Sequence, residues 1–263
     1  MAVGPFTHTW NGRPGRAEGT LDPSGLCETM RWVRGGVRAW RPHRTRLLEA
    51  CARLGWVAPE LDTVASDANA LAELWAMPPE EARVRLVLVP RRPNEAPDRL
   101  VQLQPLGDDL RQRRAGVDAA LVLGPVTPEP ALKQVPNGGA RAAALRCAPC
   151  EPLLQDKDGH LLEGATWNLF VLMTDGTLST PPLDGRILPG VTRAAVLARA
   201  HALGVSTSER AIRLPDLWAA REVFVTNALL PVARLCSLDG QRLPTETCLQ
   251  SELLRDLDAL DLA

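Results

Sequence analysis

The sequence predicts a mixed α/β (α+β) protein in two lobes. Apolar runs of strand length alternate with amphipathic stretches of helix length along the 263 residues, and 45% of the residues are hydrophobic, enough for a sizeable core. A polar stretch at residues 108–116 makes a plausible domain boundary. We therefore expect an N-terminal α/β lobe at residues 1–112 and a C-terminal lobe at residues 117–263.

The first lobe is predicted to run from strand to helix and back to strand. A strand enters a turn at residues 10–12, and strand-like residues at 27–40 contain a hairpin turn at 34–36. Pro42 and Gly55 bracket an amphipathic helix, because proline suits the first turn of a helix and glycine its end. The remaining predicted elements are helices within 65–76 and from residue 78, and strands at 84–89 and 100–106.

The second lobe is predicted to contain more strands, in close succession. Gly204 ends a clear helix that begins at Thr192. A closing amphipathic helix spans residues 245–260. The other predicted elements are a helix at 140–147 and strands at 119–123, 153–155, 168–173, 177–179, 223–226 and 232–235.

Charge and composition narrow the function class. A net charge of −1 gives no general attraction to nucleic acid or to an anionic membrane. No apolar run approaches the roughly 20 residues of a membrane-spanning helix, and residues 1–6 do not resemble a secretion signal. We expect a cytoplasmic protein. Of its six scattered cysteines only Cys147 and Cys150 have a metal-like or redox-like spacing, and a single pair of this kind is weak evidence for zinc. The four histidines form no metal-ligand cluster, so no metal site is predicted.

Lysine is nearly absent from this chain. Of 30 basic side chains only Lys133 and Lys157 are lysines. Lys157 lies in a polar turn, where a solvated charge explains it, whereas Lys133 lies in a proline- and glycine-rich loop at residues 130–139. Arginine cannot replace lysine where an amine must lose its proton and attack a carbonyl. We interpret Lys133 as a Schiff-base lysine; the alternative is a surface lysine in a loop.

Three later segments follow Lys133 in a characteristic order. They are Leu162–Phe170, Ile187–Arg193 and Glu222–Val232. Together with Lys133 they resemble the class IV aminotransferase family, the fold-type IV pyridoxal-phosphate enzymes, over nearly the whole chain. The resemblance implies two lobes with pyridoxal 5′-phosphate between them, and a homodimer that acts on a small-molecule substrate.

The resemblance also implies roles for particular residues. Lys133 would bond to the cofactor and later move the proton, and Glu163 would hold the pyridine nitrogen in its protonated form. The main-chain N–H groups at Val191 and the hydroxyl of Thr192 suit a phosphate, since a helix begins there. An exposed strand-end glutamate and an ordinary helix cap are the alternative interpretations of these two sites.

Further cofactor contacts are implied at two other places. Arg46 lies in His43-Arg44-Thr45-Arg46-Leu47, which matches the family's His-x-x-Arg-Leu helix, and its guanidinium would clamp the phosphate. Asn227 and the main-chain N–H of Ala228 would add to the phosphate site. A solvated surface charge is the alternative for Arg46.

Substrate contacts are harder to predict. Thr29 is the last residue of Gly25–Thr29, a segment that resembles the family's strand entry. An anionic substrate would require arginines, and the candidates are Arg31, Arg91 and the adjacent Arg92. The chain has no tyrosine, although aminotransferases of this family often use one to bind the phenolic oxygen of the cofactor. Asn137 is the expected substitute and a further candidate substrate contact.

The segment Thr226–Val232 distinguishes the possible reactions. Its Asn-Ala-Leu sequence looks most like that of 4-amino-4-deoxychorismate lyases, whereas aminotransferases usually carry a Gly-Thr-Ala type sequence. The resemblance therefore implies a lyase that releases pyruvate and leaves 4-aminobenzoate. The alternatives are a class IV aminotransferase acting on D- or branched-chain amino acids, and a non-catalytic relative.

Overall fold

The computed structural model describes residues 8–15, 23–34, 36–74, 80–107, 110, 113–124 and 128–260. Residues 258–260 are described by their backbone alone. The described strands are β1 (His8–Trp10), β2 (Arg13–Gly15), β3 (Gly25–Val33), β4 (Gly36–Val37), β5 (Glu81–Val89), β6 (Asp98–Pro105), β7 (Val117–Leu123), β8 (Gln134–Val135), β9 (Glu151–Gln155), β10 (Leu161–Gly164), β11 (Asn168–Leu172), β12 (Leu178–Thr180), β13 (Thr207–Glu209), β14 (Glu222–Thr226), β15 (Ala233–Leu238) and β16 (Gln241–Arg242). The described helices are α1 (Trp40–Arg53), α2 (Val64–Glu73), α3 (Gly138–Cys147), α4 (Val191–Ala202), α5 (Leu214–Trp218) and α6 (Cys248–Leu260).

The chain folds into two compact units. The first comprises Met1–Gly107 and Leu132–Pro136, and the second Asp108–Ala131 and Asn137–Ala263. The sequence-based division placed Lys133 in the C-terminal lobe, and this was wrong. The short strand β8 pairs with the start of β3, at Gly25 and Leu26, and so joins this segment to the first unit.

The first unit is built on an antiparallel sheet in the order β2-β1-β6-β5-β3-β4, with β8 also paired to β3. Side chains alternate between its faces. Leu26, Met30 and Trp32 of β3 belong to the core cluster that also contains Leu47 of α1 and Leu71 of α2. The opposite face of β3 carries Cys27, Thr29 and Arg31. The helices therefore cover one face of this sheet and leave the functional candidates Thr29 and Arg31 on the other.

The second unit has a mixed sheet in the order β10-β9-β7-β15-β14-β11-β12-β13, with β16 paired to β15. Strand β10 also pairs with β11, which closes the sheet on itself. The pairs β7–β9, β7–β15 and β12–β13 are parallel, and the others in this sheet are antiparallel. The mixture of parallel and antiparallel strands with helices agrees with the predicted fold class.

Strands β11 and β14 separate two cores of the second unit. Leu169 and Val225 point into one cluster. Phe170 and Phe224 point into the other, where they meet residues of α4 and α6. Their rings are stacked, with centroids 5.2 Å apart and planes 7° from parallel. The same face of β14 also carries the buried Glu222.

Glu222 fixes the start of α6. Its carboxylate oxygens accept hydrogen bonds from the N–H groups of Leu249 and Gln250, at 2.8 and 2.9 Å, and the side chain is fully buried. A carboxylate there satisfies main-chain donors at the helix start and interacts favourably with the helix dipole. Helix α6 is therefore docked at a defined place on β14.

Most longer elements lie within a few residues of their predicted positions. The hairpin of β3 and β4 is confirmed, although Gly35 of its predicted turn lies outside the described residues. The helix predicted from residue 78 is wrong as far as it can be compared: residues 75–79 lie outside the described residues, and Glu81 begins a strand. The sequence did not predict β2, β8, β10, β13, β16 or α5. All are of two to five residues, too short to show a periodic pattern.

We expect Phe170→Ala to destabilise the second unit by about 3–5 kcal/mol, because it removes a fully buried ring from a stacked pair and leaves a cavity. Urea unfolding followed by circular dichroism would measure the change. Leu145→Ala is the control, since that side chain is 71% exposed and its loss should change the free energy of unfolding by less than about 0.5 kcal/mol. Similar losses in the two variants would contradict the packing described.

Candidate functional site

Main-chain hydrogen bonds hold Lys133 in place within the first unit. The N–H of Cys27 donates to the carbonyl oxygen of Lys133 at 2.8 Å, and β8 follows immediately. The lysine is thus positioned by strand β3, although it is distant from that strand in sequence. Its side chain is partly buried, which agrees poorly with a purely solvated surface lysine.

Beside this segment lies a buried cluster of Glu28, His43 and Arg46. The Arg46 guanidinium donates to both Glu28 carboxylate oxygens, from Nε at 2.8 Å and from Nη2 at 2.5 Å. The Nδ1 atom of His43 lies 2.7 Å from Glu28 Oε2. A two-point contact of this kind fixes the plane and direction of the guanidinium. Glu28 therefore positions Arg46, the residue predicted to bind the phosphate.

The charges of this cluster shift the ionisation of its members. Burial alone would raise the pKa of Glu28, but the hydrogen bond from His43 and the charge of Arg46 outweigh it and hold the pKa at about 2. Burial lowers the pKa of His43, with the positive charges of Arg46 and Lys133 acting in the same direction. Burial raises the pKa of the Cys27 thiol, and the charge of Lys133 opposes that rise. Lys133 is thus within electrostatic range of this cluster.

The second unit holds Glu163 in a hydrogen-bond network. The N–H of Leu188 donates to both Glu163 carboxylate oxygens at 3.1 Å, and the Nδ2 of Asn168 donates to Oε2 at 3.0 Å. Asn168 Nδ2 also donates to the carbonyl of Leu188 at 3.1 Å. Each donor favours the charged carboxylate and restricts its orientation. Glu163 is therefore a held anion rather than a freely solvated glutamate.

Helix α4 begins beside this network. Gly190 precedes the helix, and no side chain caps its first turn. Within the described chain, no residue accepts a hydrogen bond from the N–H of Val191 or of Thr192. A Cβ at Gly190 would lie 1.9 Å from Oδ1 of Asn168, so only glycine fits there. The helix start is thus a set of available donors that suits an anion.

A further polar group faces this helix start. Thr226 pairs directly with Asn168 on the neighbouring strand, so the two side chains share a sheet face, the one that packs on α4. The Thr226 side chain is 1% exposed, and its hydroxyl has no hydrogen-bond partner in the described part of the chain. A buried hydroxyl without a partner is unusual and is explained by a ligand that would supply one.

The side-chain oxygen of Asn227 is engaged within its own loop. That oxygen accepts from the N–H groups of Leu229 and Leu230 at 2.9 and 2.7 Å, and the Asn227 N–H donates to the Leu230 carbonyl at 2.8 Å. Asn227 therefore shapes the loop. Among the described residues none accepts from the N–H of Ala228, which leaves that amide available.

The five candidate substrate contacts are Thr29, Arg31, Arg91, Arg92 and Asn137, of which Arg92 is exposed. Asn137 caps the start of α3, where its Oδ1 accepts a hydrogen bond from the N–H of Ala140. Arg31 pairs with Glu81 at 2.8 Å. Arg91 is half exposed and lies 3.2 Å from Asp98. Thr29 shares a face of β3 with Arg31. Their roles stay predictions.

The structure also brings together a group that the sequence did not single out. Ligand atoms of Asp156, Asp158 and His160 lie within 4.8 Å of one another. The Asp156 carboxylate already accepts from two main-chain N–H groups of its own turn, from His160 and from Arg186. These contacts account for the turn, so we give the group a structural role.

The likeness to known proteins agrees with this geometry. The family model described as amino-transferase class IV matches residues 25–238 of the chain. This protein belongs to the class IV aminotransferase family. The family depends on pyridoxal 5′-phosphate (PLP), so the cofactor predicted from the sequence is confirmed.

Similarity to individual class IV relatives varies in extent. A branched-chain-amino-acid aminotransferase of Salmonella typhimurium is 35% identical over 98 residues, which are 37% of this chain and 31% of that protein. The chain thus matches less than a third of that relative's length. A bifunctional aminodeoxychorismate lyase / D-amino acid transaminase of Mycobacterium tuberculosis is 26% identical over 243 residues, covering 84% of this chain and 83% of that protein.

Solved structures of the family share the fold. The branched-chain amino acid aminotransferase of Escherichia coli superposes with a TM-score of 0.82 at 21% identity, covering 98% of this chain and 95% of that one. A hypothetical aminotransferase from Mycobacterium tuberculosis, in a PLP-bound form, gives a TM-score of 0.82 at 21% identity, with 97% and 99% covered. The fold-type IV architecture is thereby confirmed. In the described part of the chain, no helix has both the length and the apolar character needed to cross a membrane.

The residues of the second unit fit the phosphate and ring of PLP. The uncapped start of α4, the close approach at Gly190 and the unpartnered Thr226 hydroxyl suit a phosphate, and the held Glu163 carboxylate suits a protonated ring nitrogen. Sequence reasoning missed Thr226, because a threonine at the end of a strand looks ordinary in the sequence. It also missed the positioning roles of Glu28 and His43, because in the sequence these two residues stand out only as members of the Gly25–Thr29 segment and the His-x-x-Arg-Leu motif.

We expect Gly190→Ala to weaken PLP binding by about tenfold or more, since the added Cβ must displace the Asn168 side chain that holds Glu163 and Leu188. Fluorescence titration of the apoprotein with PLP would measure the dissociation constant. Gly138→Ala is the matched control, because its added Cβ would meet no atom within 4 Å. Equal affinity in the two variants would show that the close approach does not matter.

We expect acid to destabilise the protein in two steps. His43 has a lowered pKa when folded, so stability should begin to fall as pH drops below about 6.5. Glu28 has a folded pKa of about 2 against an ordinary value of 4.5, so its contribution is complete above 4.5 and is lost as pH falls toward 2.

Urea midpoints measured across this pH range would separate the two steps. Glu28→Gln should flatten the pH dependence below about 4.5, and His43→Gln should flatten the fall that begins below about 6.5. Glu246→Gln, at a half-exposed glutamate paired with Arg221, is the control and should change neither slope. An unaltered slope below pH 4.5 in Glu28→Gln would contradict the assignment.

Proposed function

We propose that this protein is a PLP-dependent 4-amino-4-deoxychorismate lyase, which releases pyruvate and leaves 4-aminobenzoate, a folate precursor. The observation that carries the proposal is similarity over 84% of this chain to a protein named as an aminodeoxychorismate lyase / D-amino acid transaminase. The Asn227-Ala228-Leu229 segment, which looks like that of the lyases, supports it. Asn227 builds the loop that leaves the Ala228 amide available.

Cofactor-binding roles in this proposal follow from the contacts described. Glu163 keeps the pyridine nitrogen protonated, because its carboxylate is held by Leu188 and Asn168. The N–H groups of Val191 and Thr192 bind the phosphate. Arg46 adds a guanidinium whose direction Glu28 sets. When bound, PLP withdraws electrons from the substrate carbon attached to its nitrogen.

Lys133 carries the proton transfer in the proposed reaction. As a free amine it removes the proton from the ring carbon that bears the substrate nitrogen. The bond between the neighbouring ring carbon and the ether oxygen then breaks, so that enolpyruvate leaves as the ring becomes aromatic. Protonation of the methylene carbon of enolpyruvate gives pyruvate. Thr29, Arg31, Arg91 and Asn137 are the proposed contacts of the anionic substrate. We also propose a cytoplasmic protein and, as the family resemblance implies, a homodimer.

Aminotransfer is the second candidate, and specific observations favour it. The Mycobacterium tuberculosis relative is also named as a D-amino acid transaminase, and the 98-residue similarity at 35% identity is to a branched-chain aminotransferase. The two reactions differ in one requirement. An aminotransferase needs a 2-oxo acid to turn over repeatedly, whereas the lyase does not.

We expect wild-type protein with PLP to release 4-aminobenzoate from 4-amino-4-deoxychorismate without any 2-oxo acid, as followed by product fluorescence. Lys133→Ala should lower the rate by at least about 10²–10⁴-fold, since it removes the general base. Lys157→Ala, at the other lysine of the chain, is the matched control and should retain activity. Failure to form product, while PLP still attaches to Lys133 as shown by borohydride reduction and peptide mass spectrometry, would favour the aminotransferase.

A further inference from the structure

One arginine at the start of α4 is buried in a place where a cation is normally unfavourable. Arg193 lies in the first turn of the helix, and its residue is only 2% exposed. The first turn contains no acidic residue. Because the helix dipole already places partial positive charge at this end, a buried cation there lowers stability unless negative charge lies nearby.

The contacts of Arg193 balance its charge only in part. Its Nη2 atom donates to the carbonyl oxygen of Pro181 at 2.8 Å and to Glu209 Oε2 at 2.6 Å. Glu209 has a side chain that is 46% exposed, so solvent screens this ion pair. The Nε of Arg193 is buried and has no hydrogen-bond partner within the described residues. The positive charge of this first-turn residue is therefore only partly balanced.

Arg193 lies next in sequence to the donors that suit a phosphate. Arg193 directly follows Thr192, and its Cβ would lie 3.2 Å from a Cβ at Gly190. The unpartnered Thr226 hydroxyl shares the sheet face on which α4 packs. The cation thus adds to the positive potential of the available N–H groups, and a bound dianion would relieve the unfavourable charge.

We propose that Arg193 is a positioning and specificity-determining residue that makes the start of α4 selective for a dianionic phosphate. It acts through the helix start and its electrostatic potential, without touching the reacting atoms. This inference rests on the proposed position of the cofactor phosphate. It adds that the charge of Arg193 destabilises the apoprotein and that phosphate binding removes this penalty.

The test compares two ligands that differ only in the phosphate group. The apoprotein is titrated with PLP and with pyridoxal, and dissociation constants are measured by fluorescence. Arg193→Gln should weaken PLP binding by about tenfold, the size of effect of a supporting residue behind a ligand contact. Binding of pyridoxal should stay within about twofold. Equal weakening for both ligands would mean that Arg193 merely supports the fold, and would overturn the proposal.

A second variant, which should not lose affinity for PLP, guards against misfolding. Glu209→Gln removes the partly compensating negative charge while Arg193 keeps its bond to Pro181. PLP affinity should therefore stay equal or rise severalfold, and a tenfold loss would show that the ion pair acts only as an anchor. Arg199→Gln is the matched control, since Arg199 lies on the same helix, in its last turn, and pairs with Asp256.

The outcome for wild type separates this inference from the function beneath it. If wild-type apoprotein bound PLP no better than pyridoxal, the proposed phosphate site itself would be wrong, and the inference would fail with it. If wild type strongly preferred PLP and Arg193→Gln kept that preference, only the role of Arg193 would be overturned. Lyase activity does not enter this comparison.

Discussion

The carboxylate of Glu163 is the interaction on which the second unit's site depends. Through Leu188 and Asn168 it joins the strands β10 and β11 to the segment that leads into α4. The place where a ring nitrogen can be held and the place where a phosphate can be held are therefore set by one network. Such mutual support explains how a site made of short, separate segments can be held in one geometry.

The first unit also uses a carboxylate to position other groups. Glu28 is buried, and a buried carboxylate stays charged only when cations and hydrogen-bond donors surround it. His43 and Arg46 supply these partners, and in return Glu28 fixes the guanidinium. In both units a buried or partly buried acid orients the groups predicted to meet the ligand. The fold itself thus orients these charged groups before a ligand binds.

The sequence predicted those parts of the molecule that depend on local pattern. Pro42 and Gly55 mark a helix because their backbone preferences are local, and Lys133 stood out because lysine is so rare in this chain. It could not predict features that arise from pairing across the chain. The link between β8 and β3, the orientation of Thr226 beside Asn168 and the partial compensation of Arg193 by Glu209 all join residues that only the tertiary fold brings together.

The return of the chain to the first unit at Leu132–Pro136 has a consequence for how the protein is made. The ribosome delivers residues in order, so the sheet of the first unit stays incomplete at the Gly25 end of β3 until residue 136 has emerged. By then β7, a strand of the second unit, has already been synthesised. The two units therefore do not correspond to two consecutive stretches of the sequence. A fragment that ends at residue 107 would expose an unpaired stretch of strand edge, a feature that promotes aggregation.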